Sequence, residues 1–205
     1  SLTGGSNTVL AGSGNDTITA SGGTNTIATD MGDNTVVLNA GTNNVTANAG
    51  ADTIQATGGF NTISAGDGND TLDINGGTNS VVAGSGADTI TSASGTNKID
   101  AGDDADIITL NGGNNTVYGG SGTDSITAND GTNVIDAGTE NDTITASGGF
   151  NTIDAGAGDD KIDLNDGTNS VAAGSGFDTI TVASGINTID AGMGDDIITM
   201  NDRSE

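Results

Sequence analysis

The chain of 205 residues carries 28 acidic side chains against three basic ones, a net charge of -25, with 36 glycines and no His, Cys, Pro or Trp. That balance argues against nucleic acid or an anionic membrane as a partner, and the missing imidazoles and thiols exclude the usual zinc, copper and iron sites. Self-repulsion on this scale, with so few aromatic residues, would by itself predict a disordered polymer.

From the N-terminus onward, however, the chain keeps a nine-residue period that never slips. Every ninth residue is Val, Ile or Leu: Val9, Ile18, Ile27, Val36, Val45, Ile54, Ile63, Leu72, Val81, Ile90, Ile99, Ile108, Val117, Ile126, Ile135, Ile144, Ile153, Ile162, Val171, Ile180, Ile189 and Ile198. Such a chain stacks one small unit on itself, and each unit contributes an inward side chain to a narrow continuous core. Abundant glycine, β-branched residues at the apolar places and a period far from about 3.6 exclude helix. Each unit reads as a glycine-rich turn followed by a short Thr-Ile-Thr-like strand.

Two residues before each apolar position the chemistry alternates. One series is Asn7, Asn25, Asn43, Asn61, Asn79, Asn97, Asn115, Asn133, Asn151, Asn169 and Asn187. The other is Asp16, Asp52, Asp70, Asp88, Asp106, Asp124, Asp142, Asp160, Asp178 and Asp196, interrupted only by Asn34. The structural period is therefore 18 residues, two nonapeptides per turn. This predicts an all-β parallel roll of about eleven turns, with aspartate along one edge and asparagine along the other. Glycine stands two residues earlier again, as at Gly14, Gly32, Gly50 and Gly68, where a turn needs positive φ or close approach. Asp104 and Glu140 are the internal exceptions, and Glu140 is expected to make the most irregular loop.

A column of carboxylates about 4.8 Å apart repels itself strongly unless cations lie between them. Carboxylates combined with backbone carbonyls from flexible turns are hard oxygen donors in adaptable geometry, which favours calcium over magnesium. On the neutral edge, stacked Asn side chains predict an amide ladder, each bonded to the next.

Three stretches carry a resemblance: Ala65-Gly66-Asp67-Gly68-Asn69-Asp70-Thr71-Leu72-Asp73, Ala83-Gly84-Ser85-Gly86-Ala87-Asp88-Thr89-Ile90-Thr91, and Gly119-Gly120-Ser121-Gly122-Thr123-Asp124-Ser125-Ile126-Thr127. They resemble the RTX (repeats-in-toxin) nonapeptide, G-G-x-G-x-D-x-U-x, a calcium-binding parallel β-roll. The resemblance implies calcium held between successive turns by the Asp column and by the backbone of turn glycines. Those glycines are Gly66, Gly68, Gly84, Gly86, Gly120, Gly122, Gly156, Gly158, Gly174, Gly176, Gly192 and Gly194. It also implies a secreted or surface-exposed bacterial protein whose folding is triggered by calcium outside the cell. Two departures stand out. The motif's first glycine is nearly always Ala here, adding a second small inward residue, and every second repeat has Asn for Asp, so one edge rather than two is expected to bind metal. The unbroken Asp run from Asp52 to Asp196 has room for up to eight ions, which would offset 16 of the 25 net negative charges.

Residues 1–205 read as one roll with no linker and no apolar run long enough for a membrane span. Residues 57–109 and 147–199 are alike at a spacing of five whole turns. Without a capping unit at either end, the chain is expected to be a module or fragment of a longer protein, or to associate end to end. Catalysis finds no support, because no nucleophile or base is singled out from the repeating pattern. The expected role is that of an extracellular structural module: a stiff spacer in an adhesin, surface layer or filament, or the calcium-triggered folding element of a secreted protein.

Two alternatives remain at this stage: a self-assembling filament subunit, and an ice-binding protein. Thr17/Thr19, Thr89/Thr91, Thr143/Thr145 and Thr179/Thr181 flank inward Ile residues and so point outward. Such an array resembles the ice-binding faces of some β-solenoid antifreeze proteins, but Thr is also simply a good strand residue on an exposed sheet. Val37, Gln55, Asp73, Ile107, Lys161, Asp163 and Ile197 interrupt it. Asp100, Asp136, Asp154 and Asp190 read as a solvated face, and Phe60, Phe150, Phe177 and Tyr118 as too scattered for a stacking platform. An extracellular polymer binding to the Asn/Thr surface is a further option.

Overall fold

In a computed structural model, which describes residues 1–201, the chain forms a two-sided parallel β-solenoid. Arg203, which takes a glycine place in the repeat, lies outside the described residues. One 11-stranded sheet contains the Asn nonapeptides, from Ser6–Leu10 to Ile186–Asp190. The second, also 11-stranded, follows the Asp turns, from Thr17–Ala20 to Ile197–Met200. All pairing is between successive turns in one register: Asn61 faces Asn79 and Ile63 faces Val81 in the first sheet, and Ile90 faces Ile108 in the second. Eleven turns at about 4.8 Å make a rod roughly 50 Å long.

The period-two alternation of a strand decides what the interior contains. In the Asn sheet the strand Phe60–Asp67 turns Asn61, Ile63 and Ala65 inward, while in the Asp sheet Thr71–Ile74 turns Leu72 and Ile74 inward. The Ala replacing the motif's first glycine is fully buried at Ala47, Ala65, Ala83, Ala101, Ala137, Ala155 and Ala173, filling the second inward place as the sequence predicts. The opposite column alternates in size along much of the rod: Ala20, Leu38, Ala56, Ile74, Ser92, Leu110, Ala128. Large against small residues keep a thin core dense without forcing the turns apart. At the C-terminal end the core opens: Ile198, last of the inward Ile, Val and Leu series, is 44 % exposed because no described turn covers it.

Turn glycines are required by the stacking itself. A Cβ on Gly68 would lie 2.1 Å from the Gly50 carbonyl oxygen, and its φ of 129° disfavours any L side chain.

Candidate metal centre

Each Asp of the acidic column occupies the last place before a strand of the second sheet, and its side chain points inward. Asp52, Asp70, Asp88, Asp106, Asp124, Asp142, Asp160 and Asp178 are at most 1 % exposed. One carboxylate oxygen of each is committed: Asp70 Oδ1 accepts the Asp52 N–H at 2.7 Å, Asp88 Oδ1 accepts that of Asp70 at 2.7 Å, and the series runs on to Asp196, which accepts the Asp178 N–H at 3.0 Å. The other oxygen, Oδ2, is buried without a hydrogen-bond partner at Asp16 and at all eight positions from Asp52 to Asp178. A buried anionic oxygen with no donor is costly and rare in native structures.

Burial is the largest cause pushing these carboxyls above their ordinary 3.8, to about 7 at Asp70, Asp106 and Asp142 and to about 6 at Asp88 and Asp160. Neighbouring column members add repulsion: Asp52 and Asp88 act on Asp70, and Asp124 and Asp160 act on Asp142. The backbone N–H that each carboxylate accepts pulls the other way.

Asn34 shows what an amide does in the same place. Its Oδ1 accepts the Asp16 N–H at 3.0 Å, so the ladder continues, but its Nδ2 donates to the Gly32 carbonyl at 2.7 Å. A carboxylate has no hydrogen for that second bond, so in the Asp turns the corresponding oxygen is left over. Asn34 thereby separates Asp16 from the continuous column that begins at Asp52.

Among the described residues no point gathers three acidic side chains. Any cation held here takes its remaining ligands from turn backbone, which suits calcium, whose flexible shell accepts carbonyls, better than magnesium. The turn glycines named above all have positive φ, from 92° at Gly192 to 145° at Gly176 and Gly194. The donor set of orphaned carboxylate oxygens and glycine-turn carbonyls therefore fits a hard divalent ion. Asp104 and Glu140 take the glycine place at φ of 77° and 75° with their neighbouring strands intact, so the Glu140 loop is no more irregular than that of Asp104, contrary to the expectation from sequence: both side chains are accommodated at the turn surface. Asp30 and Asn48, at φ of 68° and 76°, are irregularities that the sequence reading missed.

The Asn edge is satisfied without help. Asn61 Nδ2 donates to Asn79 Oδ1 and Asn79 Nδ2 to Asn97 Oδ1, each at 2.7 Å, and Asn79 Nδ2 also reaches the Gly76 carbonyl at 2.9 Å. This ladder runs from Asn7 to Asn187 and leaves no buried polar side-chain atom without a partner on this edge. A second, shorter ladder escaped the sequence reading. Asn15, Asp33, Asn69, Asn141 and Asp159, each just ahead of the Asp column, accept the backbone N–H one turn on, as Asp33 does from Ala51 at 3.0 Å. Its only signal is a polar residue before the Asp in some repeats.

On the outer face of the Asn sheet the residues flanking each inward Asn form two outward columns, with a trough of about 740 Å³ between them, lined by Thr24, Thr26, Thr42, Asn44, Thr78 and Ser80 among others. Phe60 and Phe150 share one of these columns five turns apart, 64 % and 65 % exposed, so they form no continuous platform. Tyr118 instead lies under the Lys98 ammonium, 5.6 Å from its ring centre.

A two-sided parallel β-solenoid with G-x-D turns on one edge and an acidic column buried there defines a calcium-binding roll. The chain belongs to the RTX calcium-binding nonapeptide repeat family: the family model matches residues 2–36, 46–81, 73–108, 109–144, 136–171 and 172–199. It is a calcium-binding repeat module. Among solved structures it is similar to a hyperactive, Ca2+-dependent, β-helical antifreeze protein from an Antarctic bacterium, at 23 % identity and a TM-score of 0.70, over 98 % of this chain and 78 % of the other. No curated protein sequence matches it.

Proposed function

We propose that this chain is an extracellular structural module that calcium converts from a self-repelling coil into a stiff rod, and that the Asp column from Asp52 to Asp196 forms the ion row. One observation carries the reading: a single file of buried carboxylate oxygens, each without a donor, on one edge of the roll only. The Asp side chains, with the carbonyls of turns such as Gly66–Gly68 and Gly84–Gly86, would hold the ions between successive turns. Bound calcium supplies the positive charge that a buried acidic column lacks. Far-ultraviolet circular dichroism on chelated protein, with calcium or magnesium added back, tests it. β-structure should return with calcium alone. A full β-signal in chelator at pH 8, unchanged by calcium, would remove the ion row as the folding switch.

A second reading is ice binding through the outer face of the Asp sheet. It draws on Thr17, Thr35, Thr53, Thr71 and Thr89, five threonines in unbroken register on adjacent turns. The antifreeze neighbour supports the fold such a function would use. Thermal hysteresis of the calcium-loaded protein, and its loss in Thr53→Lys and Thr71→Lys, would establish this reading. No hysteresis at millimolar protein retires it. Hysteresis that survives both changes but falls with Thr78→Lys would move the surface to the Asn-sheet trough.

A further inference from the structure

The outer face of the Asn sheet carries three outward columns. The two that flank the inward Asn residues, Ser6 to Ile186 and Thr8 to Thr188 at every 18th residue, hold no Asp or Glu, and Lys98 is their one charge. The corresponding columns of the Asp sheet include Asp73 and Asp163. Large apolar side chains stand uncovered on this acid-free surface: Phe60 is 64 % exposed, Phe150 65 % and Val134 49 %. Phe60 borders the trough of about 740 Å³, and Phe150 borders a shorter one of about 280 Å³ on the same face. Exposed apolar groups gathered on one face mark an interaction site, and acids are depleted from the cores of such sites. The third outward column, Leu10 to Asp190, borders the other two and carries Asp100, Asp136, Asp154 and Asp190, all toward the C-terminal half of the rod. That asymmetry decides which partner the face can take.

We propose that a second copy of this chain covers the face, the two rods antiparallel about a two-fold axis that runs along the strand direction, midway between the turns of Phe60 and Phe150. Such an axis lays each column over itself and reverses the order of the turns. Phe60 then meets the partner's Phe150, and Phe150 the partner's Phe60, each ring beside the other copy's trough. Asp100 meets the partner's Tyr118, whose hydroxyl can donate to it. Asp136 meets the partner's Val82, Asp154 the partner's Ser64 and Asp190 the partner's Ala28. No acid faces an acid. A shift of one turn brings Asp100 onto the partner's Asp100 in one direction and onto the partner's Asp136 in the other, and like charges directly opposite are destabilising. Parallel rods fail differently, because they cross the first column over the third: Phe150 lands on the partner's Asp154, Ile186 on the partner's Asp190 and Lys98 on the partner's Lys98. In the antiparallel register ten of the eleven turns overlap. Three columns along that length bury on the order of 1,200 Å² in total, the lower bound of a specific interface. This pairing goes beyond the calcium reading and needs only the folded rod; it leaves the outer face of the Asp sheet free.

Sedimentation equilibrium of the calcium-loaded chain tests the pairing, with far-ultraviolet circular dichroism to show that each variant keeps the wild-type fold. The mass should rise from 19.7 kDa to twice that value across the micromolar range, as expected of an interface this small. Salt should strengthen the dimer, because it screens the acids outside the contact. Thr78 and the partner's Thr132 face each other on both sides of the axis. T78D/T132D should therefore weaken the dimer roughly tenfold or more, while T78D/T132K should return it to within about threefold of wild type. F60D/F150D should abolish it. A mass that stays at 19.7 kDa up to millimolar protein overturns the inference, and loss of hysteresis in T78K would then assign the trough to ice. A dimer indifferent to T78D/T132D also overturns it, because the contact would lie on another face. So does one that T78D/T132D weakens and T78D/T132K fails to restore, because the two threonines would not be partners.

Discussion

Asp70 accepts the backbone N–H of Asp52 through one carboxylate oxygen at 2.7 Å, while its other oxygen is buried with no donor in reach. The same relationship links each Asp of the column to the next. It lets an acidic edge serve as a structural ladder and still offer oxygens to a cation: one oxygen stitches the turns, and the other is left without a partner. Asn61 and Asn79 do the first job on the opposite edge and are fully satisfied by it.

Stability should depend on pH in a way that calcium removes. Burial raises the carboxyls of Asp70, Asp106 and Asp142 to about 7 and those of Asp88 and Asp160 to about 6, against 3.8 in the unfolded chain. Between these values the folded state binds more protons than the unfolded one, so its stability falls as pH rises. The stabilisation is complete below pH 3.8 and lost by the time pH passes 7. Thermal melts in chelator should therefore give a higher Tm at pH 5 than at pH 8. With calcium the order should invert, because protons compete for the same oxygens. A metal-free Tm that rises from pH 5 to pH 8 would contradict burial as the cause.

Asn34→Asp should extend the ion row. The amide now donates to the Gly32 carbonyl, a bond a carboxylate cannot make. The substitution joins Asp16 to the column starting at Asp52, so calcium counted by equilibrium dialysis should rise by up to two ions per chain, from the steps on either side of residue 34. The variant in chelator should be less stable than wild type at pH 8. Unchanged stoichiometry would show that these terminal steps hold no ion even with their carboxylates restored.

Asn79→Ala tests the neutral edge. It deletes a donor to Asn97, a donor to the Gly76 carbonyl and the acceptor of Asn61. Leaving those buried partners unpaired should cost about 2–4 kcal/mol, equally with calcium and without it. Urea denaturation in calcium, and in chelator at pH 5, provides the comparison. A loss seen only in chelator would mean that the Asn edge also takes part in binding metal.

Gly176→Ala should damage the roll more than its size suggests. The new Cβ would lie 1.8 Å from the Gly158 carbonyl oxygen, on a backbone at φ 145°. A cost of roughly 2–4 kcal/mol is expected from strain and separation of two turns. Gly4→Ala, with nothing within 4 Å, should stay within about 0.5 kcal/mol of wild type. Equal effects at the two positions would mean that the stack yields locally rather than holding the close approach.

The nine-residue apolar series and the alternation of Asp with Asn determined the solenoid, its two nonapeptides per turn, its inward Ile, Val and Leu column and its two unlike edges. A strict repeat does this because stacking places residue i beside residue i+18, so the composition of every column can be read directly. Tertiary structure decided what the repeat leaves open. It turned the Asp side chains inward, with one oxygen bonded and one unpaired, whereas at Asn34 an amide satisfied both ends. It set Ala20, Leu38, Ala56 and Ile74 into an alternating column, and it gathered Phe60 and outward threonines of the Asn sheet along one trough. It also folded Glu140 back onto the Gly122 N–H. These outcomes depend on turn dihedrals and on the rise between turns, which fix where side-chain atoms meet backbone from the next coil. Periodicity names the neighbours in a column, but only the coiled backbone determines which atoms they present to one another.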